Sequence, residues 1–320
     1  MTKSKYIPID ASVVPRFSGI ATFMRTKSAE PCEEIDIGLC GVPFDIGVNY
    51  RAGTREAPGS VRHASRLIRS VHPTTGVEPY KLCNIADIGD APLNPLDFDK
   101  SIETITNYFS NLKSLDIRPI SIGGDHTIPT PILRGLASNE PVGILQIDSH
   151  ADTLDEMCGT KINHATFMRR GIEEGLIDPK RVVQLGLRGS RFAPDDIQYG
   201  YDNGFTMITF DEYEEMGRDI AIKKIQQTLG KSRTYVTIDI DGLDPSFCPG
   251  TAVPEIGGIT PRDAQVIIRS LMGIDIIGAD ISEVAPCYDP TGITSVTAAN
   301  LMFELTCVIA DAISKSIKNN

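Results

Sequence analysis

The chain has 320 residues, 41 % of them hydrophobic and 23 % charged, a balance that fits a soluble globular protein and excludes a disordered one. Its 31 Lys and Arg against 42 Asp and Glu leave a formal charge of −11. That argues against partners such as nucleic acid or an anionic membrane, which select clustered positive charge. Seven cysteines, at 32, 40, 83, 158, 248, 287 and 307, include no C-x-x-C pair and read as reduced thiols. The first residues, MTKSKYIPIDASVVPRF, hold no apolar core of signal-peptide length, so a cytoplasmic location is expected.

In chain order, apolar runs predict strands at Ile35–Val42, Asn84–Ile88, Ile117–Ile122, Val142–Asp148, Arg181–Leu187, Phe205–Phe210, Thr234–Asp241 and Ile274–Ser282. Most lack polar alternation, as strands covered on both faces do. Helices fit between them. Ile102, Ile105, Phe109 and Leu112 recur at helical spacing, as do Ile220, Ala221, Ile225 and Leu229. Thr260-Pro261 followed by Asp263 is a helix start: a capping hydroxyl, Pro at the first turn and an early acid. The long apolar stretch Val296–Ile313 carries Asn300, Glu304 and Asp311 and reads as a buried helix rather than a membrane span. Strand–helix alternation without repeats or flexible linkers predicts an α/β protein, one domain over 1–320, with a mostly parallel sheet.

In such sheets ligands bind beyond the carboxyl ends of the strands. Three predicted strand ends are unusual: Gly123-Gly124-Asp125-His126, Asp148-Ser149-His150-Ala151-Asp152, and Asp239-Ile240-Asp241 followed by Gly242-Leu243-Asp244-Pro245. If the backbone stays extended, Asp148, His150 and Asp152 point the same way, and so do Asp239 and Asp241. Apolar strands that run into acids are costly unless the buried charge is offset. Carboxylates this close do not all ionise without cations among them. Oxygen-rich ligands with two imidazoles suit Mn²⁺, with Fe, Co, Ni or Zn as substitutes. Four Asp and two His are too many for one open site and about right for two metals roughly 3.5 Å apart.

These motifs, in this order, resemble those of the ureohydrolase family, which includes arginases, agmatinases, guanidinobutyrases and guanidinopropionases. The resemblance extends to Arg51-Ala52-Gly53-Thr54-Arg55, Pro254-Glu255-Ile256-Gly257-Gly258 and Ser282-Glu283-Val284-Ala285-Pro286. Pro15-Arg16-Phe17-Ser18-Gly19-Ile20 looks more like the guanidino-acid branch than like arginases. The resemblance implies a three-layer α/β/α sandwich with a sheet of about eight strands. It also implies two Mn²⁺ per subunit, one held by His126, Asp148, Asp152 and Asp239, the other by His150, Asp148, Asp239 and Asp241. Asp148 and Asp239 would bridge. A homo-trimer or homo-hexamer is implied too, with an N-terminal arm, 1–33, packed on its own domain or on a neighbouring subunit.

The implied reaction hydrolyses a guanidino compound to urea and an amine by attack of a metal-bridging hydroxide. Asp152 would accept a hydrogen bond from the nucleophile and help move its proton. His164 would shuttle a proton to the leaving amine. Glu283 would orient the planar guanidinium by two hydrogen bonds. Asp125 and Asp244 read as groups that orient ligands. Arg51 and Arg55 either anchor the N-terminal loop or line the pocket mouth. Two segments depart from the family. His164-Ala165-Thr166 has Ala where Gly is usual, and Val253 replaces a threonine. Leu154 and Asp155 stand where arginases place polar groups, which disfavours arginine. A guanidino acid, 4-guanidinobutanoate or 3-guanidinopropanoate, leads as substrate. Agmatine follows, then guanidine or an N-alkylguanidine. A non-catalytic metal-binding subunit of a mixed oligomer and a formimino-group hydrolase are the readings from other classes.

Overall fold

The computed structural model describes residues 6–137 and 140–319, with side chains through Ser316. Nine strands form one sheet, every pair parallel: β1 (Lys27–Ser28), β2 (Ile37–Gly41), β3 (Ile85–Asp90), β4 (Arg118–Ile122), β5 (Val142–Ile147), β6 (Ile177–Leu187), β7 (Thr206–Thr209), β8 (Thr234–Asp239) and β9 (Ile276–Ser282). Their order across the sheet is β1-β3-β2-β4-β9-β8-β5-β6-β7. The eight expected strands are all present. The ninth, β1, is a two-residue polar edge that pairs Lys27 and Ser28 with Ala86 and Asp87, and it has no apolar pattern to announce it.

Alternation along the strands feeds two cores. Ile37 and Leu39 of β2, with Ile120 and Ile122 of β4, face one core, shared with the helices Ala57–Ala64, Arg218–Leu229, Pro261–Arg269 and Ile293–Asn319. Cys40 and Ala86 face the other, filled by the helices Phe98–Ser114, Pro129–Leu136 and Phe167–Glu173. The sheet is therefore the middle of three layers. Helix starts follow the local chemistry: Thr260 Oγ1 accepts from Asp263 N at 3.1 Å, and Asp97 caps Lys100 N at 3.0 Å. The C-terminal helix is apolar and long enough to cross a bilayer, but 83 % of its apolar window is buried inside the protein. Its Glu304 is paired there with Arg269.

Two strand ends differ from simple extension. β5 stops at Ile147, so Asp148 to Asp152 lie in an irregular loop, and Asp152 takes a left-handed φ of 51°. β8 stops at Asp239, and Ile240–Gly242 turns into a short 3-10 helix capped by the Asp239 side chain. The acids converge through these turns rather than by period-two alternation. Of the expected N-terminal arm, residues 1–5 lie outside the described residues. Beyond them, Arg66 holds Gly19 O at 2.9 Å, and Phe23 N donates to Asp87 at 2.9 Å, so this segment lies on its own chain.

Candidate metal centre

Four adjacent central strands, β4, β9, β8 and β5, deliver the candidate residues at their carboxyl ends. After β4, Gly123 and Gly124 both take left-handed φ, 88° and 87°, and turn the chain sharply into Asp125-His126. A Cβ on Gly124 would lie 2.9 Å from the Val42 carbonyl. Asp125 then clamps two loops, accepting from Gly47 N and from Thr127 N at 2.9 Å each. Burial pushes its carboxyl up to about 6.

His126 Nδ1 lies 2.7 Å from Asp152 Oδ2, 3.0 Å from Asp148 Oδ2 and 3.3 Å from Asp239 Oδ2. His150 Nδ1 lies 3.2 Å from Asp241 Oδ2 and 3.6 Å from Asp148 Oδ1. Two ligand clusters result, His126–Asp148–Asp152 and Asp148–His150–Asp241, and they share Asp148. Asp239 stands against the first. All six residues named from the sequence as metal ligands are thus brought together.

The fit to a cation rests on unpaired atoms. His126 Nδ1, Asp152 Oδ2 and Asp241 Oδ2 are buried without a hydrogen-bond partner. A buried donor or acceptor left so costs roughly 1–3 kcal/mol, and these three sit in the two clusters. Four carboxylates also need positive charge that two imidazoles alone do not supply. Burial, then neighbouring Asp148, pushes the Asp152 carboxyl up to about 7. Burial and the carboxylates of Asp241 and Asp148 push Asp239 well above its usual range. Bound divalent cations would reverse both shifts.

The remaining oxygens are held in place. Gln146 Nε2 donates to Asp148 Oδ2 at 2.6 Å, and Gln184 Nε2 donates to Gln146 Oε1 at 2.7 Å. Ser149 Oγ donates to Asp241 Oδ1 at 2.6 Å. His126 Nε2 contacts Thr237 Oγ1 at 2.8 Å, and that hydroxyl donates to Asp280 Oδ1 at 3.0 Å. Gln146, Gln184, Thr237 and Asp280 were not singled out from the sequence. Each is a polar residue inside an apolar strand, a detectable signal.

A cavity of about 450 Å³ opens onto the centre, lined in part by His150, Asp152, His164, Asp239 and Val253. Burial, reinforced by His150 and His126, pulls the His164 imidazole down to about 4, so it is neutral at pH 7. Glu283 takes a left-handed φ of 59°, an uncommon strain for a glutamate. Its Oε1 already accepts from His126 N at 2.8 Å, whereas Oε2 is buried and unpartnered. Oε2 thus has all of its acceptor capacity open, and Oε1 part of it. His164 Nδ1 is 4.0 Å from Oε1.

Other sequence readings resolve structurally. Arg51 donates to Ala252 O at 2.7 Å and to Thr251 O at 2.5 Å while stacking on Tyr288, and Arg55 pairs with Asp45. Both are anchors. Asp244 accepts from Gly257 N and Gly258 N, at 2.7 and 2.9 Å, and so staples a loop rather than a ligand. Leu154 lines the cavity, but Asp155 is drawn off to Arg170 at 2.8 Å. Ala165 also lines the cavity without a left-handed φ, so its methyl adds wall and no backbone strain. Arg188, on the cavity wall, is spent on backbone carbonyls, among them Asp241 O at 2.7 Å.

A family model described as the arginase family matches residues 35–307. A guanidinopropionase from Pseudomonas aeruginosa is 42 % identical over 310 residues, covering 97 % of this chain and 98 % of that protein. A guanidinobutyrase from the same organism is 39 % identical over 319 residues, covering 98 % and 100 %. Among solved structures, a proclavaminate amidino hydrolase from Streptomyces clavuligerus superposes with a TM-score of 0.90 at 36 % identity, covering 93 % of this chain and all of that one.

Proposed function

The chain belongs to the arginase family, and from that premise we propose that it is a hydrolase releasing urea from a guanidino acid with two bound manganese ions. The observation that carries the reading is the buried, unpartnered set His126 Nδ1, Asp152 Oδ2 and Asp241 Oδ2, converging beside a cavity. The two relatives named for guanidinopropionase and guanidinobutyrase activity, similar over nearly their full length, support the substrate class.

In this reading His126, Asp148, Asp152 and Asp239 hold one cation, and His150, Asp148, Asp239 and Asp241 hold the other. When bound, the pair supplies a water acidified enough to act as hydroxide at neutral pH. The chain's residues do the rest. Asp152, at the cavity wall, would accept a hydrogen bond from the nucleophile and pass its remaining proton toward the leaving amine. His164, neutral at pH 7, relays a proton to the leaving amine through one ring nitrogen while the other recovers it. Glu283, buried behind the cavity-lining His164, is the carboxylate for the guanidinium, with Oε2 unpartnered and Oε1 already accepting one bond from His126 N. Val253 and Leu154 supply apolar wall for the alkylene segment of a guanidino acid. Arg191, also on the wall, is the cation for its carboxylate tail.

Ligand chemistry favours manganese, with nickel as a substitute. One domain, a homo-trimer or homo-hexamer and a cytoplasmic location complete the reading. The seven thiols, all free, support the reducing compartment. The test is urea release by manganese-loaded protein from 4-guanidinobutanoate, 3-guanidinopropanoate, guanidinoacetate, agmatine, arginine, guanidine and dimethylguanidine, with nickel loading in parallel. Urea predominantly from one of the first two is expected. Preference for agmatine would reassign the tail chemistry, and no urea from any compound would remove the reaction.

A further inference from the structure

The segment after Tyr6 folds back and roofs a second cavity of about 400 Å³, which shares no lining residue with the metal-site cavity. Three guanidinium side chains line it, Arg16, Arg25 and Arg69, against one carboxylate, Asp10. That carboxylate is already engaged, accepting from Ser12 N and Ser12 Oγ at 2.7 Å each. Arg25 is only 6 % exposed. Its Nη2 donates to Val14 O at 3.0 Å, which fixes the guanidinium, and its Nη1 is a buried donor with no partner. Arg16 Nε is likewise buried and unpartnered.

An arginine stays charged wherever it sits, so a buried, unpartnered donor in a cavity lined by three guanidinium groups and one carboxylate is costly without a further anion. The chain as a whole carries a formal charge of −11, so this cluster is not part of a generally basic surface. The backbone also holds the arrangement against its own preference. Met24 and Arg25 are consecutive non-glycine residues at φ 52° and 59°, pinned by Met24 N donating to Ser65 Oγ at 2.8 Å.

We infer that this cavity is a binding site for a small dianionic oxyanion, of the phosphate-ester or dicarboxylate class, gripped by Arg16, Arg25 and Arg69. Guanidinium forks match both oxyanion geometries. Ile7, Ile9 and Tyr80 enclose whatever apolar part the ligand carries. The occupant ties Arg16 of the N-terminal segment to Arg25 of the core turn, so binding stabilises that segment on the domain.

The test uses full-length, manganese-loaded protein titrated with sulfate, a tetrahedral dianion, or with succinate, a planar one, and with chloride at matched ionic strength as control. Melting temperature and amide hydrogen exchange are followed. A saturable rise in melting temperature with at least one dianion is expected, with slowed exchange over residues 7–25 and no such effect of chloride. The dianion that acts tells the two ligand classes apart. Arg25→Gln and Arg69→Gln should each weaken apparent affinity about tenfold or more. Arg69 lies at the exposed side, so its substitution reads the site even where Arg25→Gln fails to fold. No saturable rise with either dianion, unchanged affinity in Arg69→Gln, or a carboxylate of a second copy found seated in the cavity would each overturn the site.

Discussion

His126 Nε2 lies 2.8 Å from Thr237 Oγ1, and the Thr237 hydroxyl spends its proton on Asp280 Oδ1 at 3.0 Å. Thr237 can therefore only accept from the ring, which places a hydrogen on His126 Nε2. That leaves Nδ1 as the atom turned toward Asp148 and Asp152. Asp280 in turn accepts from Tyr235 OH at 2.6 Å, so the chain of bonds runs from the sheet interior to the candidate ligand.

Thr237→Val keeps the shape of the side chain and removes the relay. Metal affinity is expected to fall about 10- to 100-fold, the range found when partners of ligating histidines are removed. Competition with a chromophoric chelator measures it. Affinity equal to that of the unsubstituted protein would mean that the relay serves packing alone.

Removal of metal exposes the carboxylates to one another, and the sign of the resulting pH dependence is fixed. Asp152 is raised to about 7 in the folded protein, so its contribution is lost as pH rises toward and through that value. His126 and His150 are also raised, their carboxylate neighbours outweighing burial, and their contribution is likewise lost with rising pH. His164 is lowered to about 4 and opposes this trend until pH has passed through the ordinary imidazole pKa, one group against three. Chelator-treated protein should therefore have a lower urea midpoint at pH 8 than at pH 6. The manganese-loaded protein should lack that decline. Equal midpoints for metal-free protein at the two pH values would contradict the electrostatic account.

Gly124→Ala probes the turn that aims His126. The position has φ 87°, and the added Cβ would meet Ile128 at 2.6 Å and the Val42 carbonyl at 2.9 Å. Destabilisation of about 1–3 kcal/mol or more is expected from strain of this kind, read from the denaturant midpoint. A midpoint within error of the parent would show that the turn is not under this constraint.

Arg51→Ala releases the loop that carries Val253 by removing two hydrogen bonds to Thr251 O and Ala252 O. Catalytic efficiency on the preferred guanidino acid should fall about tenfold or more, with metal content unchanged, because positioning is lost without a ligand being lost. Metal content and kcat/KM measured on one preparation separate these effects. A parallel loss of metal would move Arg51 into the support of the centre itself.

Much of this was written at the strand ends. Acids and histidines that follow runs such as Gly143–Ile147 and Tyr235–Ile238 stand out because buried charge demands an offset. The geometry that joins them was not legible as alternation. Asp152 and Asp241 reach the centre through a left-handed residue and a 3-10 turn, which depend on tertiary contacts. β1 escaped because two polar residues pair at the sheet edge through backbone alone. The start of β6 at Ile177 rather than Arg181 reflects pairing of Ile177 with Val142. Gln146 and Gln184 carried a readable signal as uncharged polar residues in apolar strands, directly paired across β5 and β6. Nor did the sequence reveal that one oxygen of Glu283 is committed to His126 N, since that bond spans 157 positions.

Asp148 is a residue on which the two-cation reading turns, since the two ligand clusters meet at it. The most direct measurement is the manganese content of gel-filtered protein, by mass spectrometry, for the parent and for Asp148→Asn. About two ions per chain are expected in the parent and a clear loss in the variant, with both proteins folded by circular dichroism. A parent that never exceeds one ion at saturation, or an Asp148→Asn protein that retains two with parental affinity, would contradict the two-cation reading.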